Sequence, residues 1–453
     1  MYKKFLLIGS GNFIEEIKPA LSGLALEIEI ANSLSEIRPK LKKRDIDLVI
    51  LDTDSVKNAL PVLQRLKADF VVLSNKRNIN LISRAKAYGA ADYILKPYSL
   101  RELNLKISAL ANGRMMVSCI GGGTGLFSLL MGIKNLSGII PASIVSMTDD
   151  GGSSGRLRES FGVLPPGDVR RSLVALSSAP EVMNELMAYR FDKGGCFVGH
   201  NLGNLLITAL AKIKGSMSNA VSGLGDVLNI QGIVRPASTT RSKLCALFED
   251  GTVVKGESNI DLCEKRSSEL RIKDCWHEPE SKCDINAYSS IINSDFVIIG
   301  PGDLFTSVIT NLLIKDIRKA VTGTKAKKIY ICNLMTKPGE TSNFDAIDHI
   351  REILKYLQED CLDYIVISDN NRLSMDAVLR YSVKGQFPVK VGSIREIRKI
   401  TKAKIIVADV AHERELIRHD SEKIKDVIFE IIKPFGDSSG FNPERGRRIK
   451  KRG

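Results

Sequence analysis

Residues 116–136, MVSCIGGGTGLFSLLMGIKNL, decide how this chain folds. The apolar run MVSCI reads as a buried strand, Gly121-Gly122-Gly123-Thr124-Gly125 as a turn, and LFSLLMGIKNL as an apolar helix. Glycines at a strand-to-helix turn let backbone N–H groups approach a phosphate, and the helix N-terminus adds favourable partial charge. The loop departs from GxGxxG, because counting from Gly123 puts Ser128 at the third glycine position. No Gly-Lys-Ser/Thr follows, so it is not a Walker A loop. The bland alternative is a tight turn that only packs helix on strand.

The same alternation extends to both sides. After Met116 come strand candidates ASIVSM, DFVIIG, KIYICNL, DYIVIS and AKIIVAD, separated by helical stretches, with one hairpin signal in FEDGTVV. Before it, FLLIG, LEIEIA, DLVILD, FVVLS and DYILK alternate with helices in five βα units. The pattern predicts an α/β fold: a doubly wound, Rossmann-like parallel sheet over 116–432, preceded over 1–112 by a smaller flavodoxin-like unit. Residues 434–453 carry Gly, Ser, Pro and charge and read as a basic disordered tail.

The 453 residues, 43% hydrophobic and 26% charged, suffice for two or three domains with ample core. No apolar run approaches the roughly 18 residues of a membrane span, and FLLI is too short for a secretory leader; a cytoplasmic address and no membrane partner are expected. The eight cysteines form no CxxC pair, and the cluster Cys275, His277 and Cys283 lacks a fourth ligand and reads as a surface loop. Of the net charge of +14, residues 1–114 hold +7 and the last ten hold +5, which leaves +2 for 115–443. A nucleic-acid partner is therefore not expected of the large domain.

Chemistry concentrates at the strand ends. Thr148-Asp149-Asp150-Gly151-Gly152-Ser153-Ser154-Gly155-Arg156 follows the second strand of the large domain. Asp149 or Asp150 could take a ribose hydroxyl or Mg²⁺, while Gly152, Ser153, Ser154 and Arg156 offer donors to an anion. In LPPGDVRR, Asp168 reads as a helix N-cap and is a second acid for Mg²⁺. His200, Asn201 and Asn204 open an apolar helix, the two amides as ligand-facing candidates. Gly300, Gly302, Leu304, Thr306 and Ser307 form a second glycine-rich turn after DFVIIG, and Asn333 and Thr336 follow KIYIC. Such a set suits a crevice for a polar, phosphorylated ligand.

GGGTGL, DDGGSSGRLRESFGVLPPGDVRRSLVAL, GHNLGNLLITAL, EDGTVVKGESNI, GPGDLFTSVITNLL and NLMTKPGET, in this order, closely resemble the bacterial gluconeogenesis factor family, itself related to 2-phospho-L-lactate transferase. The resemblance implies binding of a UDP-sugar such as UDP-N-acetylglucosamine and a role in cell shape and wall-precursor supply on gluconeogenic carbon sources, with no firmly assigned reaction. It matches the transferase's glycine loop to Gly122–Gly125 and its acid after the second strand to Asp150, with Asp168 a looser second match. The wording GGSSGR and GHNLGN departs from the transferase and puts its deazaflavin substrate in doubt. The rival reading is a Mg²⁺-dependent transferase using Asp150 and Asp168; an NAD-dependent oxidoreductase lacks any hydride-transfer constellation.

The first unit resembles the receiver domain of response regulators. Asp52, Ser74 and Lys96 match the phospho-acceptor, hydroxyl and lysine positions, but the turn Gly9-Ser10-Gly11-Asn12 lacks the acids that hold Mg²⁺. A pseudo-receiver serving an unidentified protein partner is expected. A homo-oligomer is left open.

Overall fold

Short apolar runs closed by glycine or polar turns become buried strands, and the amphipathic stretches between them become helices that cover the sheet faces. The computed structural model describes residues 4–435 apart from 22, 43–44, 65, 67, 262–268 and 414–415. Of the expected tail, 436–453 therefore lie outside the described residues.

The first unit runs β1 (Lys4–Ile8), α1 (Gly11–Leu21), β2 (Glu27–Ala31), α2 (Leu34–Lys42), β3 (Leu48–Asp52), α3 (Leu60–Leu63), β4 (Asp69–Ser74), α4 (Ile79–Ala87), β5 (Asp92–Leu95) and α5 (Leu100–Ala111). Its five strands are parallel in the order β2-β1-β3-β4-β5, the flavodoxin-like winding.

The large unit begins with β6 (Met115–Gly121), α6 (Gly123–Ile133) and β7 (Ile139–Val145). A helical excursion follows, α7 (Gly152–Phe161), α8 (Gly167–Leu176), α9 (Glu181–Ala188), α10 (Leu202–Lys214) and α11 (Met217–Val227), before β8 (Ile233–Pro236). Next comes a small antiparallel sheet of β9 (Lys243–Phe248), β10 (Val253–Lys255) and β11 (Ile272–Glu278), with α12 (Glu257–Asp261) between the last two. The main sheet resumes through α13 (Ile285–Asn293), β12 (Phe296–Ile299), α14 (Thr310–Leu312), α15 (Lys315–Gly323), β13 (Lys327–Ile331), α16 (Ala346–Leu357) and β14 (Tyr364–Ser368). It ends with α17 (Met375–Ser382), α18 (Ile394–Ile400), β15 (Lys404–Ala408), the ribbon β16 (Ala411–Glu413) and β17 (Ile417–His419), and α19 (Ser421–Ile432).

The seven-stranded sheet is parallel throughout, in the order β15-β14-β13-β12-β6-β7-β8. Winding runs one way from β6 through β8 and the other way from β12 through β15, so the switch point lies between β6 and β12, where the crevice of such a fold opens. FEDGTVV forms the expected hairpin of β9 and β10. One expectation is corrected: Cys275 and His277 sit on β11, not in a surface loop, because β11 pairs with β9 and buries Cys275.

The two units share a seam. The side of the first unit that carries α4 and β5 meets α13, with Ser83 Oγ 2.9 Å from Tyr288 Oη and Ser289 Oγ donating to Tyr93 O at 2.6 Å. Asn293 Nδ2 donates to Asp92 Oδ1 at 3.0 Å. Arg101 pairs with Asp226 at 2.9 Å, and Glu102 forms a buried ion pair with Arg235 on β8. Ala109 of α5 packs with Met116, Ile140, Ala142 and Ile233 of the large sheet.

Candidate functional site

At the switch point the turns after β6 and β12 face each other across one crevice. Gly123 adopts φ +65°, a left-handed conformation that side-chain-bearing residues rarely take. At Gly125 a Cβ would stand 2.7 Å from the carbonyl of Pro301, so only glycine lets the two turns touch. Gly122 precedes α6 as its N-cap and brings no side chain to the exposed N–H groups of the first turn.

One of those donors is already engaged. Asp168 Oδ2 accepts from Gly123 N at 3.0 Å, and its other oxygen accepts from Arg171 at 2.9 Å. Asp168 therefore lies inside the first turn of α8, whose N-cap is Pro166; the expected capping role is corrected to a clamp on the glycine loop. Burial pushes its carboxyl above the usual range, with Arg171 opposing and Asp149 adding to the shift. Asp149 is the neighbouring acid, because a Cβ on Gly167 would come within 2.8 Å of Asp149 Oδ2. Asp150 turns the other way and accepts from Ser258 N at 2.9 Å. Asp149, rather than Asp150, is thus the acid whose charge bears on Asp168. Glu257, missed by the sequence reading, feels both charges: it accepts from Thr148 Oγ1 at 3.1 Å, and burial followed by Asp149 and Asp168 raises its carboxyl well above the ordinary value.

A cavity of about 710 Å³ opens over the loop. Gly122, Gly123, Thr124 and Gly125 line it together with Gly302, Ser307, Asn333 and Thr336. Asn333 is aimed by its bond to Gly302 O at 2.7 Å, and Thr336 Oγ1 accepts from Phe387 N at 2.9 Å. Gly121 lies at the end of β6, and Gly300, at φ +78°, opens the second turn. Leu304 and Thr306 belong to a buried π-helical turn, Leu304–Ile309, a form often found beside functional sites. Thr306 is spent on Glu340, which takes its hydroxyl at 3.2 Å and the N–H groups of Phe305 and Thr306.

The GGSSGR and GHNLGN segments are absent from that lining. Gly152 opens α7, where Ser153 and Ser154 are buried; Ser153 Oγ accepts from Asn201 N and stands 3.2 Å from His200 Nδ1. Asn201 caps α10 and donates to Ala188 O at 2.8 Å, while Asn204 accepts from Arg170 at 3.1 Å. Arg156 is exposed and donates to Val198 O at 2.8 Å. Burial lowers the pKa of His200, and Arg156 and Arg190 lower it further. These groups join two helix N-termini, so the structure gives both asparagines a framework bond in place of the open ligand-facing position expected of them.

The far wall brings residues that no local motif marked: Arg380 of α17, Lys384 just beyond its end, and Arg418 and His419 of β17. Between the two walls Lys337 Nζ lies 2.7 Å from Asp261, 2.6 Å from Asp303 and 2.9 Å from Glu340. These three carboxylates are close enough to hold a metal ion, but the ammonium already stands among them.

In the first unit Asp52 is buried at the end of β3; its carboxylate accepts from Lys96 Nζ at 2.9 Å and from Ser55 Oγ. Ser74 reaches Asp54 at 3.3 Å. Gly9-Ser10-Gly11-Asn12 adds no carboxylate, and Ser10 Oγ lies 3.3 Å from Ser55 Oγ.

Comparison with known proteins adds an independent line. Residues 117–411 match the model of the 2-phospho-L-lactate transferase CofD family. A gluconeogenesis factor of Thermotoga maritima is 42% identical over 70% of this chain and 99% of its own length. The gluconeogenesis factor of Bacillus subtilis is 37% identical over 70% of this chain and 98% of its own. A crystal structure of a Bacillus halodurans protein of the UPF0052 family superposes with a TM-score of 0.66 at 36% identity, covering 70% of this chain and 99% of that one. Among the described residues no helix is long and apolar enough to cross a membrane.

Proposed function

Because the chain belongs to the CofD family and is matched there by gluconeogenesis factors, we propose that it is a cytoplasmic regulator whose glycine-loop cavity binds a UDP-sugar of the UDP-N-acetylglucosamine type. In this reading 116–432 is the ligand domain, and occupancy adjusts cell shape and wall-precursor supply during gluconeogenic growth. The residues 1–112 act as a pseudo-receiver that serves a protein partner.

The observation that carries the binding reading is the pairing of a helix N-terminus, whose N-cap Gly122 has no side chain, with a cationic far wall across about 710 Å³. Backbone N–H groups and the positive end of α6 suit a diphosphate, and a cavity of this size falls in the range of small-molecule sites. Asp168 shapes the outcome. It already holds Gly123 N, so an arriving phosphate meets the N–H groups of Thr124 and Gly125 first. Calorimetry with UDP-N-acetylglucosamine tests the proposal: binding is expected for the wild type and none for Gly123→Val, whose β-branched side chain cannot take φ +65° without strain. Equal affinity of the variant would falsify this placement of the diphosphate.

A second reading, a Mg²⁺-dependent transferase, is favoured by the family's description and by the closeness of Asp149 and Asp168. The acids present suit a hard cation, which would supply charge neutralisation to a transferring phosphoryl group. Incubation of the protein with UDP-N-acetylglucosamine and Mg²⁺ separates the readings by chromatography. The regulator returns the nucleotide intact; steady release of UDP or UMP, lost in Asp168→Asn, would establish the enzyme.

A further inference from the structure

The helix α17 reads MDAVLRYS and presents two unlike sides. Ala377 is buried, and Tyr381 Oη accepts from Ile417 N at 2.9 Å, which pins that side to β17. Met375, Leu379 and Val383 recur every four residues on another side and are 74%, 55% and 88% exposed. Phe387 and Leu416 extend the apolar strip, and Val383 and Leu416 both stand at the mouth of the ligand cavity.

Charge surrounds this strip. Residues 370–404 contain nine Lys and Arg against Asp376 and Glu396, a net +7 hidden within the +2 of 115–443. Arg372, Arg380, Lys384 and Lys390 are exposed among the apolar residues. A second copy of the chain would oppose like charges. A nucleic acid would be met by aliphatic groups rather than stacking rings, since Phe387 is the strip's one aromatic residue. Protruding aliphatic side chains with cations beside them are how a helix lies in the interface of a bilayer containing acidic lipids.

We propose that α17 and the 383–387 segment dock this protein, from one side, onto an anionic lipid surface, with the mouth of the cavity beside it. The sequence expectation of no membrane partner rested on the lack of a spanning run and does not bear on one-sided contact. The docking stands apart from the identity of the cavity's ligand.

The test is co-sedimentation of the full chain with vesicles of phosphatidylcholine alone or of equimolar phosphatidylcholine and phosphatidylglycerol. Binding is expected to the second only. The basic tail attracts the same vesicles, so the deciding comparison is Met375→Ser with Leu379→Ser, which changes no charge and replaces no cavity-lining residue. Partitioning should fall by about tenfold or more, as expected when two apolar side chains no longer insert. The melting temperature and UDP-sugar affinity should be unchanged; if the melting temperature drops, Met375→Gln with Leu379→Gln replaces the pair and the same loss is expected. Undiminished sedimentation of a folded variant would overturn the proposal in favour of charge attraction alone. Failure of the wild type on anionic vesicles, with binding to DNA or an acidic polypeptide instead, would overturn it in favour of a soluble polyanion.

Discussion

His419 shows what burial does to a single residue at this site. It is 7% exposed on β17, and burial, aided by His412, brings its pKa from 6.5 down to about 4. Protonation therefore favours the unfolded chain. The neutral ring's contribution to stability is complete above pH 6.5 and is lost as pH falls from 6.5 to about 4. Asp168 and Glu257, whose carboxyls are raised, act in the opposite sense, so wild type and variant must be compared. The His419→Gln variant should lose less stability than the wild type between pH 7 and pH 4, by on the order of 2 kcal/mol, in chemical denaturation at each pH. Identical slopes would mean that His419 titrates normally in the fold.

Among the elements, the seam is held by few but costly contacts. Glu102 on α5 and Arg235 on β8 are both buried. Glu102→Ala leaves the guanidinium without its carboxylate and should cost about 3–5 kcal/mol in urea unfolding. A loss within experimental error would show that the pair is solvated in solution. In the first unit, the Asp52 site should take no stable label from a small phosphodonor with Mg²⁺, because the turn Gly9-Ser10-Gly11-Asn12 after β1 carries no carboxylate. Labelling that disappears in Asp52→Asn would refute the pseudo-receiver reading.

The same elements show what a sequence can reveal. The strands before and after Gly121–Gly125 were legible because each is an apolar run closed by a glycine or polar turn, and both cavity turns followed from them. β8 was not, since Ile233–Pro236 is four residues long with an arginine and a proline in it. Nor were Arg380, Lys384 and Arg418, which come to the site only through the packing of α17 on β17. Asn201 and Asn204 carry ligand-like chemistry, but the Asn201 amide is held as the N-cap of α10 and the Asn204 amide by Arg170. Spacing alone does not tell a cap from a contact.

For the whole molecule, the relatives named above match about 70% of this chain across nearly all of their own length, yet here the large sheet does not end at its own surface. Met116, Ile140, Ala142 and Ile233 turn an apolar face toward Ala109, and Arg235 sends its charge into the first unit. Cutting the chain at Arg114 would bare that face and strand the arginine. The shortened protein should retain UDP-sugar affinity, because no cavity-lining residue is lost, but sediment as aggregates at concentrations where the full chain stays monodisperse. Analytical ultracentrifugation of the two would decide, and a monodisperse fragment would refute the idea. If it holds, the first unit does a chaperone's work on its own neighbour: whatever pries it loose, a partner or a protease, would leave the large domain open to self-association.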